Sequence, residues 1–369
     1  MGKIDFISAF YNTDHNRETL VRGIDSLLLS EKLTAHAIPF GSLKSFKNIL
    51  LSDEAFNNRL LLIKDSSGIQ LYKLLYNDKE SNERKSGYFF IYEHPKYENI
   101  FCALTIEGND FYHKALLPFL LNRRVNILLT FVSHKKLKNL LDDFQSKYQL
   151  EKIIITRASC HLRLTDEAKA EKIFPMVGWP NMDLQEAFNW VYQNNGWFRS
   201  IQFKISDIPT SEKISLTRNG IIQAGGMFEK VFESFVLPIC KLIQKNNEFF
   251  GNRSRKSNVN LQVKPLIIDF GTDNFAEVSE NEKFINTIKQ LKASSTSVLH
   301  GNPYIHLSII DYYDGSSFDL YVLNASELFI VPQMKGTVAS IKRLINHVFD
   351  TYAEGVIKDY SEASYAARS

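Results

Sequence analysis

Cysteine is scarce in this sequence, and its few thiols lie far apart. The chain of 369 residues contains three cysteines, Cys102, Cys160 and Cys240. An odd and widely spaced set predicts neither a disulfide framework nor a cysteine-ligated metal site. We therefore expect three reduced thiols in the protein core, as is typical of a cytoplasmic protein.

Long apolar segments are missing as well. No stretch approaches the roughly 18 consecutive apolar residues that a membrane-spanning helix requires. The first residues include a short apolar run, but it lacks the long hydrophobic region and the small-residue cleavage site of a signal peptide. The sequence thus predicts a cytoplasmic protein with no membrane partner.

An excess of one charge sign is also absent. Lys and Arg number 44 and Asp and Glu number 41, which gives a formal net charge of +3. So small a charge on so long a chain excludes nucleic-acid or membrane binding that is driven by the field of the whole molecule. Only local clusters of basic residues can support such a partner.

The sequence lacks the motifs of common catalytic sites. It contains neither the phosphate-binding pattern GxxxxGKS/T nor the dinucleotide-binding pattern GxGxxG, and its nine histidines show no zinc-ligand spacing. Cys160 and His161 are adjacent, but neighbours on a strand point to opposite faces and cannot form a catalytic pair. We expect no catalytic residue, metal or cofactor, which favours a protein without enzymatic activity.

What the sequence does contain is typical of packed domains. Hydrophobic residues make up 44% of the chain, and 27 Phe and 16 Tyr stand against 17 Gly and 10 Pro. That balance favours sheets and packed helices over disorder, in two or three domains for this length. A polar run at residues 77–86 predicts an exposed boundary. We expect an N-terminal α/β segment (residues 1–86), a central α+β domain (87–250) and a C-terminal α+β domain (251–369).

A pattern of strands followed by a helix occurs three times. The predicted helices are residues 111–121, 228–243 and 338–352, and each follows a predicted β-hairpin on which it can bury its apolar stripe. The first two helices share a Leu-Pro pair, at Leu117-Pro118 and Leu237-Pro238, which marks a duplication or arises by chance. The pattern predicts an α+β fold of mainly antiparallel, curved sheets, with repeated hairpin-plus-helix units and helices packed on one face.

This element order resembles the helix-on-sheet repeats of TATA-binding-protein-like domains. The likeness concerns the fold alone and implies no function.

Among single elements, the apolar residues 4–10 predict a strand. Residues 183–193 predict a helix, because Asp183 and Glu186 have the spacing with which two side chains cap a helix start.

Two groups of carboxylates invite a catalytic interpretation. Asp311, Asp314 and Asp319 lie close together in the sequence, and Asp269 and Asp273 end an apolar run. Metal-dependent phosphodiesterases use such carboxylates to share a cation. The alternative is structural, since Asp314-Gly315 is a favoured hairpin turn. We favour the turn, because the lysine that often accompanies nuclease carboxylates is missing.

Basic residues cluster in two segments. Residues 241–264 carry six cations against one acid, Glu248, and an aromatic pair lies beside a polar loop, a composition that suits phosphates and bases. The predicted helix 135–148 begins with lysines, which the helix dipole disfavours, so stability alone does not account for them. Both segments are also compatible with plain solvated surface. The candidate nucleic-acid contacts are Arg123, Arg124, Lys135, Lys136, Lys138, Lys245, Arg253, Arg255, Lys256 and Lys264.

From these observations the sequence favours a non-enzymatic nucleic-acid-binding or scaffold subunit. We expect it to work with other protein subunits in a larger intracellular complex, for example in prokaryotic DNA processing or antiviral defence. One alternative is a metal-dependent phosphodiesterase or nuclease that uses the carboxylates named above. The other is a sensor that binds a small molecule between domains. The sequence does not distinguish DNA from RNA.

Overall fold

A computed structural model shows a chain that divides into two compact units, Met1–Gln244 and Lys245–Ser369. It describes residues 2–42, 45–46, 59–78, 81–122, 126–162, 172–174, 179–206, 213–254 and 264–360. Each unit is built on one open sheet with helices, and every strand pairing between described residues is antiparallel. The α+β class and the antiparallel sheets predicted from the sequence are therefore confirmed. No described helix is long and apolar enough to cross a bilayer.

The sheet of the first unit contains strands β1 to β12. Their bounds are β1 Ala35–Ser42, β2 Leu60–Ser66, β3 Ile69–Asn77, β4 Arg84–Glu93, β5 Ile100–Thr105, β6 Ile127–Leu128, β7 Ile153–Leu162, β8 Lys172–Phe174, β9 Met182–Asp183, β10 Gly196–Ile205, β11 Ile214–Thr217 and β12 Ile222–Ala224. Along the sheet the order is β2-β3-β4-β5-β1-β12-β11-β10-β7-β8, while β6 pairs with β1 and β9 with β7. Strand β1 thus lies at the centre, between β5 and β12.

Six helices with described bounds accompany this sheet. Their bounds are α1 Lys3–Asn12, α2 Arg17–Glu31, α3 residues 109–121, α4 His134–Lys147, α5 Leu184–Gln193 and α6 residues 228–251. Helix α6 begins in the first unit and ends in the second. The predicted start of α5 is confirmed, since the amide of Glu186 donates to the side chain of Asp183 over 2.8 Å.

The strand expected at residues 4–10 is wrong, because this segment is helix α1. Phe6 and Phe10 are four residues apart, so a helix places both on one side, where they pack on Phe90 with ring centroids 6.0 and 4.8 Å apart. The side chain of Asp5 also accepts the amide of Gly2 at the helix start, over 3.0 Å. Packing against a distant strand and an N-terminal cap together select the helix.

In the β1–β5 half, the sheet buries apolar side chains on both faces. On β1, Ala37 belongs to a core with α1, α2, α4, α5 and α6, whereas its neighbour Ile38 belongs to a second core with α3. Leu71 and Tyr72 on β3 divide in the same way. The expectation of helices on one face holds for five helices of the unit. Helix α3 is the exception, because the second apolar row of these strands also has to be covered.

Helices α3 and α6 share an unusual feature directly before their Leu-Pro pairs. Each contains a five-residue π-helical segment, Tyr112–Leu116 in α3 and Phe232–Val236 in α6. Proline lacks an amide hydrogen and its ring crowds the carbonyl four residues earlier, and a wider turn accommodates both effects. A helix with a π-helical segment before a Leu-Pro pair therefore follows both β5 and β12, the two strands that flank β1.

The two hairpin-plus-helix units are related approximately by a half-turn about β1. Strands β5 and β12 are both antiparallel to β1 and hence run in the same direction. Their helices lie in different cores, α3 on one face of the sheet and α6 on the other. A rotation about β1 exchanges the two sides and the two faces while it keeps the strand direction. This geometry favours the duplication interpretation of the paired Leu-Pro motifs.

The described part of the second unit has a six-stranded sheet and two further helices. The strands are β13 Leu266–Asp269, β14 Ser294–His300, β15 Ile305–Asp311, β16 Ser316–Val322, β17 Glu327–Pro332 and β18 Val356–Asp359, and the helices are α7 Val278–Lys289 and α8 Val338–Thr351. The strand order is β14-β15-β16-β17-β13-β18. In α8 the apolar stripe predicted from the sequence is buried, including Ile341, Leu344 and Val348.

Candidate nucleic-acid interface

One line of polar side chains crosses five neighbouring strands of the first sheet. Residues that pair directly across antiparallel strands point to the same face. The ladder β7-β10-β11-β12-β1 places the following residues in one such line: Arg157, Gln202, Ser215, Gln223 and His36. We call these five residues the polar row. With strands about 4.8 Å apart, the row from Arg157 to Gln223 spans about 14 Å.

The polar row lies on the face opposite α4, α5 and α6. Its alternating neighbours on the same strands, such as Ile201, Leu216 and Ile222, belong to the core that contains those helices. On the row's own side, α3 covers the β1–β5 half of the sheet. None of the described helices contributes to a core on this side of β7, β10 and β11. This part of the sheet is therefore the candidate binding surface.

The strands of this surface carry cations but no carboxylate. The sequences of β7, β10, β11, β12 and β1 contain neither Asp nor Glu. Arg157 is exposed beside Gln202, Lys204 is half-buried beside Ile154, and Arg199 lies at a bulge of β10. Within the described part of the chain, these three cations form no ion pair. Their charge is therefore available to an anionic partner.

Some other cations of the first unit do form ion pairs. Lys138 pairs with Asp142 over 2.7 Å, and Lys147 pairs with Glu233 over 2.9 Å. Each of these cations has an acid within the protein that neutralises it.

The middle of the polar row offers both donors and acceptors. The amide of Gln202 donates to the hydroxyl of Ser215 over 3.3 Å, and the backbone carbonyl of Gln202 accepts from Thr156 over 3.2 Å. The side-chain oxygen of Gln202 is buried and has no hydrogen-bond partner among the described residues. A buried acceptor without a partner costs about 1–3 kcal/mol.

The row ends at a buried neutral histidine. His36 is fully buried and stacks on Tyr112, the first residue of the π-helical segment of α3. Burial, and then the charge of His113, lowers the pKa of His36 to about 4. Neither ring nitrogen has a hydrogen-bond partner within the described part of the chain. The row therefore changes from an exposed cation at Arg157 to an uncharged ring under α3.

An aromatic cluster lies beside the row at the paired ends of β7 and β10. The rings of His161 and Trp197 are stacked, with centroids 4.4 Å apart, and the guanidinium of Arg218 lies 4.3 Å from the ring centroid of Phe131. His161, Trp197 and Arg218 are all buried. Cys160 instead belongs to the opposite core, so Cys160 and His161 point to opposite faces of β7, as neighbours on a strand do.

The lysine-led start of α4 is only partly available to an anion. Ser133 caps the helix, because its hydroxyl accepts the amide of Lys136 over 3.2 Å. Lys135 is exposed, whereas Lys138 is engaged with Asp142. Burial, and then the charge of Arg218, lowers the pKa of the first helical residue, His134, to about 4. Its Nδ1 accepts the amide of Phe198 over 3.2 Å, so the neutral ring carries its proton on Nε2.

The basic residues predicted near the second unit have different surroundings. Arg253 is buried, pairs with Asp359 and lies over the ring of Phe249, 3.5 Å from its centroid. These contacts occupy its guanidinium. Lys245 and Lys264 are exposed. The remaining predicted contacts, Arg123, Arg124, Arg255 and Lys256, lie outside the described residues.

The carboxylates of the second unit are engaged with basic and polar side chains. Arg343 donates to Asp311 over 2.6 and 2.8 Å and to Asp314 over 3.0 Å. Burial alone would raise the pKa of Asp314, but hydrogen bonds from Thr337 and Ser316 and the charge of Arg343 hold it below its usual value.

The remaining acids of those two groups lie apart or in turns. The side chain of Asp319 accepts from Gln333 over 2.7 Å, and Asp269 pairs with Lys358. The amide of Ser316 donates to Asp314 over 3.0 Å, as in a turn. The described residues contain no group of three side chains placed to share a metal ion. This arrangement favours the structural interpretation of the acids.

The polar row was not predicted from the sequence. Arg157 and Gln202 lie on strands that are separated by helix α5, so their pairing is a product of the tertiary fold. A signal was present on β10, where Ser200, Gln202 and Lys204 alternate with residues of the core. That alternation predicts that one face of the strand is exposed to solvent. It does not reveal which other residues share that face.

No protein-family model matches the chain, and no curated protein is significantly similar to it. The surface is therefore interpreted from its own residues. They form a part of a sheet whose five strands carry no carboxylate, with unpaired cations at one side, a neutral hydrogen-bonding middle and a helix at the other side.

Proposed function

We propose that the protein is a non-enzymatic nucleic-acid-binding subunit whose polar row and neighbouring cations contact the nucleic acid. The observation that carries this proposal is the charge of the surface. Its strands contain no carboxylate, and Arg157, Arg199 and Lys204 lack an ion-pair partner among the described residues. Phosphates are the anions that such a surface attracts, and their contacts supply most of the affinity of nucleic-acid-binding proteins.

The arrangement of the polar row supports binding rather than catalysis. A nucleophilic hydroxyl needs a base within hydrogen-bond reach. Ser215 instead accepts a hydrogen bond from the amide of Gln202, and an amide does not remove a proton at neutral pH. The only imidazole in the row, His36, is fully buried. The row is thus suited to hold a ligand in place.

Work within a larger complex is the second part of the proposal. The second unit exposes several large apolar and aromatic side chains, among them Leu299 at 59%, Tyr312 at 64% and Tyr304 at 48%. Leu299 lies on β14, an edge strand of that sheet whose sequence contains no Lys, Asp, Glu or Pro. Exposed apolar groups beside an unprotected edge favour contact with another protein chain.

The nucleic-acid proposal is tested by removing the unpaired cations. The variant Arg157→Ala/Lys204→Ala is compared with Lys138→Ala/Lys147→Ala, which removes two cations that already have acidic partners. Binding of labelled oligonucleotides is followed by fluorescence anisotropy over a series of salt concentrations. Each lost phosphate contact lowers the slope of log affinity against log salt by about 0.7 to 0.9.

We expect the first variant to lose affinity and slope and the control to retain both. The proposal fails if the wild type binds no oligonucleotide at low salt, or if the two variants behave alike. Cleavage of the oligonucleotide by the wild type in the presence of magnesium would instead support the phosphodiesterase alternative.

A further inference from the structure

We infer that the ligand of this surface is a single-stranded nucleic acid and not a duplex. The inference rests on the proposed function and adds the form of the ligand to it. It is argued from the position of the polar row within the sheet, from the kind of side chains around it and from the hydrogen-bonding groups that it presents.

The polar row lies in the interior of a wide sheet. The short strands β8 and β9 pair with β7 at residues 160–162 and 154–155, on either side of Arg157 along the strand, and β5 pairs with β1 beyond His36. The major groove of duplex DNA is about 12 Å wide and admits a helix or a two-stranded ribbon, but not a sheet of this width. The deep and narrow major groove of duplex RNA excludes side chains altogether. Gln202 and Ser215 therefore cannot reach base edges in the major groove of a duplex.

Binding in the minor groove of a duplex requires a different kind of surface. Sheets and helices that bind there insert apolar wedges between base pairs and bend the duplex. One line beside the polar row consists of Ser159, Ser200 and Thr217, which are small and polar. The line on its other side contains Lys204 and the partly buried Ile154, and the large rings nearby, such as Trp197, are buried. Among the described residues, the strands of this surface present no exposed large apolar side chain of the kind that this mode uses.

A single-stranded nucleic acid has no groove for the sheet to enter and requires no apolar wedge. Its unpaired bases expose their Watson–Crick and Hoogsteen edges to side chains, which a duplex does not allow. The neutral middle of the polar row consists of Gln202, Ser215 and Gln223, three partly buried side chains whose amide and hydroxyl groups suit those edges. The cations Arg157 and Lys204 provide phosphate contacts on the same face.

The first test compares strands of identical sequence. A labelled oligonucleotide of about 16 nucleotides, long enough for typical single-strand sites, is titrated with the full chain at low salt, alone and annealed to its complement, as DNA and as RNA. We expect at least one of the single strands to bind about tenfold more tightly than its own duplex. Equal or tighter binding of both duplexes overturns this inference and leaves the proposed function intact. Absence of all binding removes the proposed function itself.

The second test removes the neutral contacts without a change of charge. Gln202→Ala and Gln223→Ala are compared with Gln185→Ala, a control on the exposed side of α5. We expect each row variant to weaken single-strand binding at least about fivefold, the size of a lost base-edge contact. The salt slope should stay unchanged, since phosphate contacts remain. Unchanged single-strand affinity in both folded row variants, checked by circular dichroism, also overturns the inference.

Discussion

The ring of His36 lies nearly parallel to the ring of Tyr112, with centroids 4.0 Å apart and an angle of 16° between the planes. This contact joins the central strand β1 to the π-helical segment of α3. Burial raises the pKa of Tyr112 to about 12, and burial, followed by the charge of His113, lowers the pKa of His36 to about 4. Both rings are therefore uncharged at neutral pH, and the contact depends on their remaining so.

The first prediction concerns the stability of the first unit in acid. A histidine with a folded pKa of about 4 binds fewer protons than the unfolded chain, whose histidines titrate near pH 6.5. Its full stabilisation is present above pH 6.5 and is lost as the pH falls toward 4, by up to about 3 kcal/mol for one fully buried ring. All three tryptophans lie in this unit, so urea unfolding followed by tryptophan fluorescence reports on it.

The variant His36→Phe tests the assignment of that acid sensitivity. Phenylalanine keeps an aromatic ring beside Tyr112 but does not titrate. We expect the difference in unfolding free energy between pH 7.5 and pH 5 to be smaller in the variant than in the wild type. His134, which has a similarly low pKa, remains as a source of residual acid sensitivity. An identical pH dependence in both proteins would contradict the role of His36.

The second prediction concerns the core of the second unit. Leu344 is 1% exposed on the apolar stripe of α8. Leu344→Asp buries a carboxylate without a partner and should destabilise the unit by several kcal/mol, a large part of a domain's stability. The control Asn346→Asp adds the same charge at a partly exposed position of the same helix. Thermal unfolding followed by circular dichroism should show the loss for the first variant alone.

The third prediction concerns the ion-pair network of Arg343. Removal of this side chain leaves Asp311 and Asp314, which are 4% and 8% exposed, buried without their cation. Breaking such a buried pair typically costs about 3 to 5 kcal/mol. Arg343→Ala should therefore lower the urea midpoint far more than Lys358→Ala, whose cation is 47% exposed. Equal midpoints for the two variants would show that the acids do not depend on Arg343.

The fourth prediction concerns the thiols. Cys102, Cys160 and Cys240 are free and buried, and burial raises the pKa of Cys160 to about 11 and that of Cys240 to about 12. Since the thiolate is the reactive form, the native protein should react slowly with a thiol reagent at pH 8. Three thiols should react promptly after denaturation without a reductant. A prompt reaction of the native protein would show that a thiol is accessible.

Local signals in the sequence were sufficient for several elements. The capping pair Asp183 and Glu186 located the start of α5, and the stripe from Val338 to Phe349 located α8. These signals act within one turn of a helix or along one face, so no knowledge of distant contacts is needed. Helix α1 was missed for the opposite reason, since Phe6 and Phe10 are buried against Phe90, a residue on a distant strand.

The candidate surface depended on distant contacts to a greater degree. Ser215 and Gln202 became neighbours through strand register, and register is set by the whole sheet. Charge by itself was a poor guide to exposure. Arg253 belonged to the most basic segment of the sequence, yet it is buried on Phe249 and Asp359. Arg157 was not predicted as a contact, because it is a single cation on a strand and belongs to no basic cluster in the sequence.

The half-turn about β1 gives the candidate surface a closed end. Because the rotation turns one hairpin-plus-helix unit over, α3 packs on the face of the sheet that the helix of the other hairpin-plus-helix unit leaves uncovered. A polymer laid along the polar row therefore runs over β7, β10, β11 and β12 and stops at Tyr112. The row from Arg157 to Gln223 is about 14 Å long, and the segment that it shields from a nuclease should stay the same however long the bound strand is.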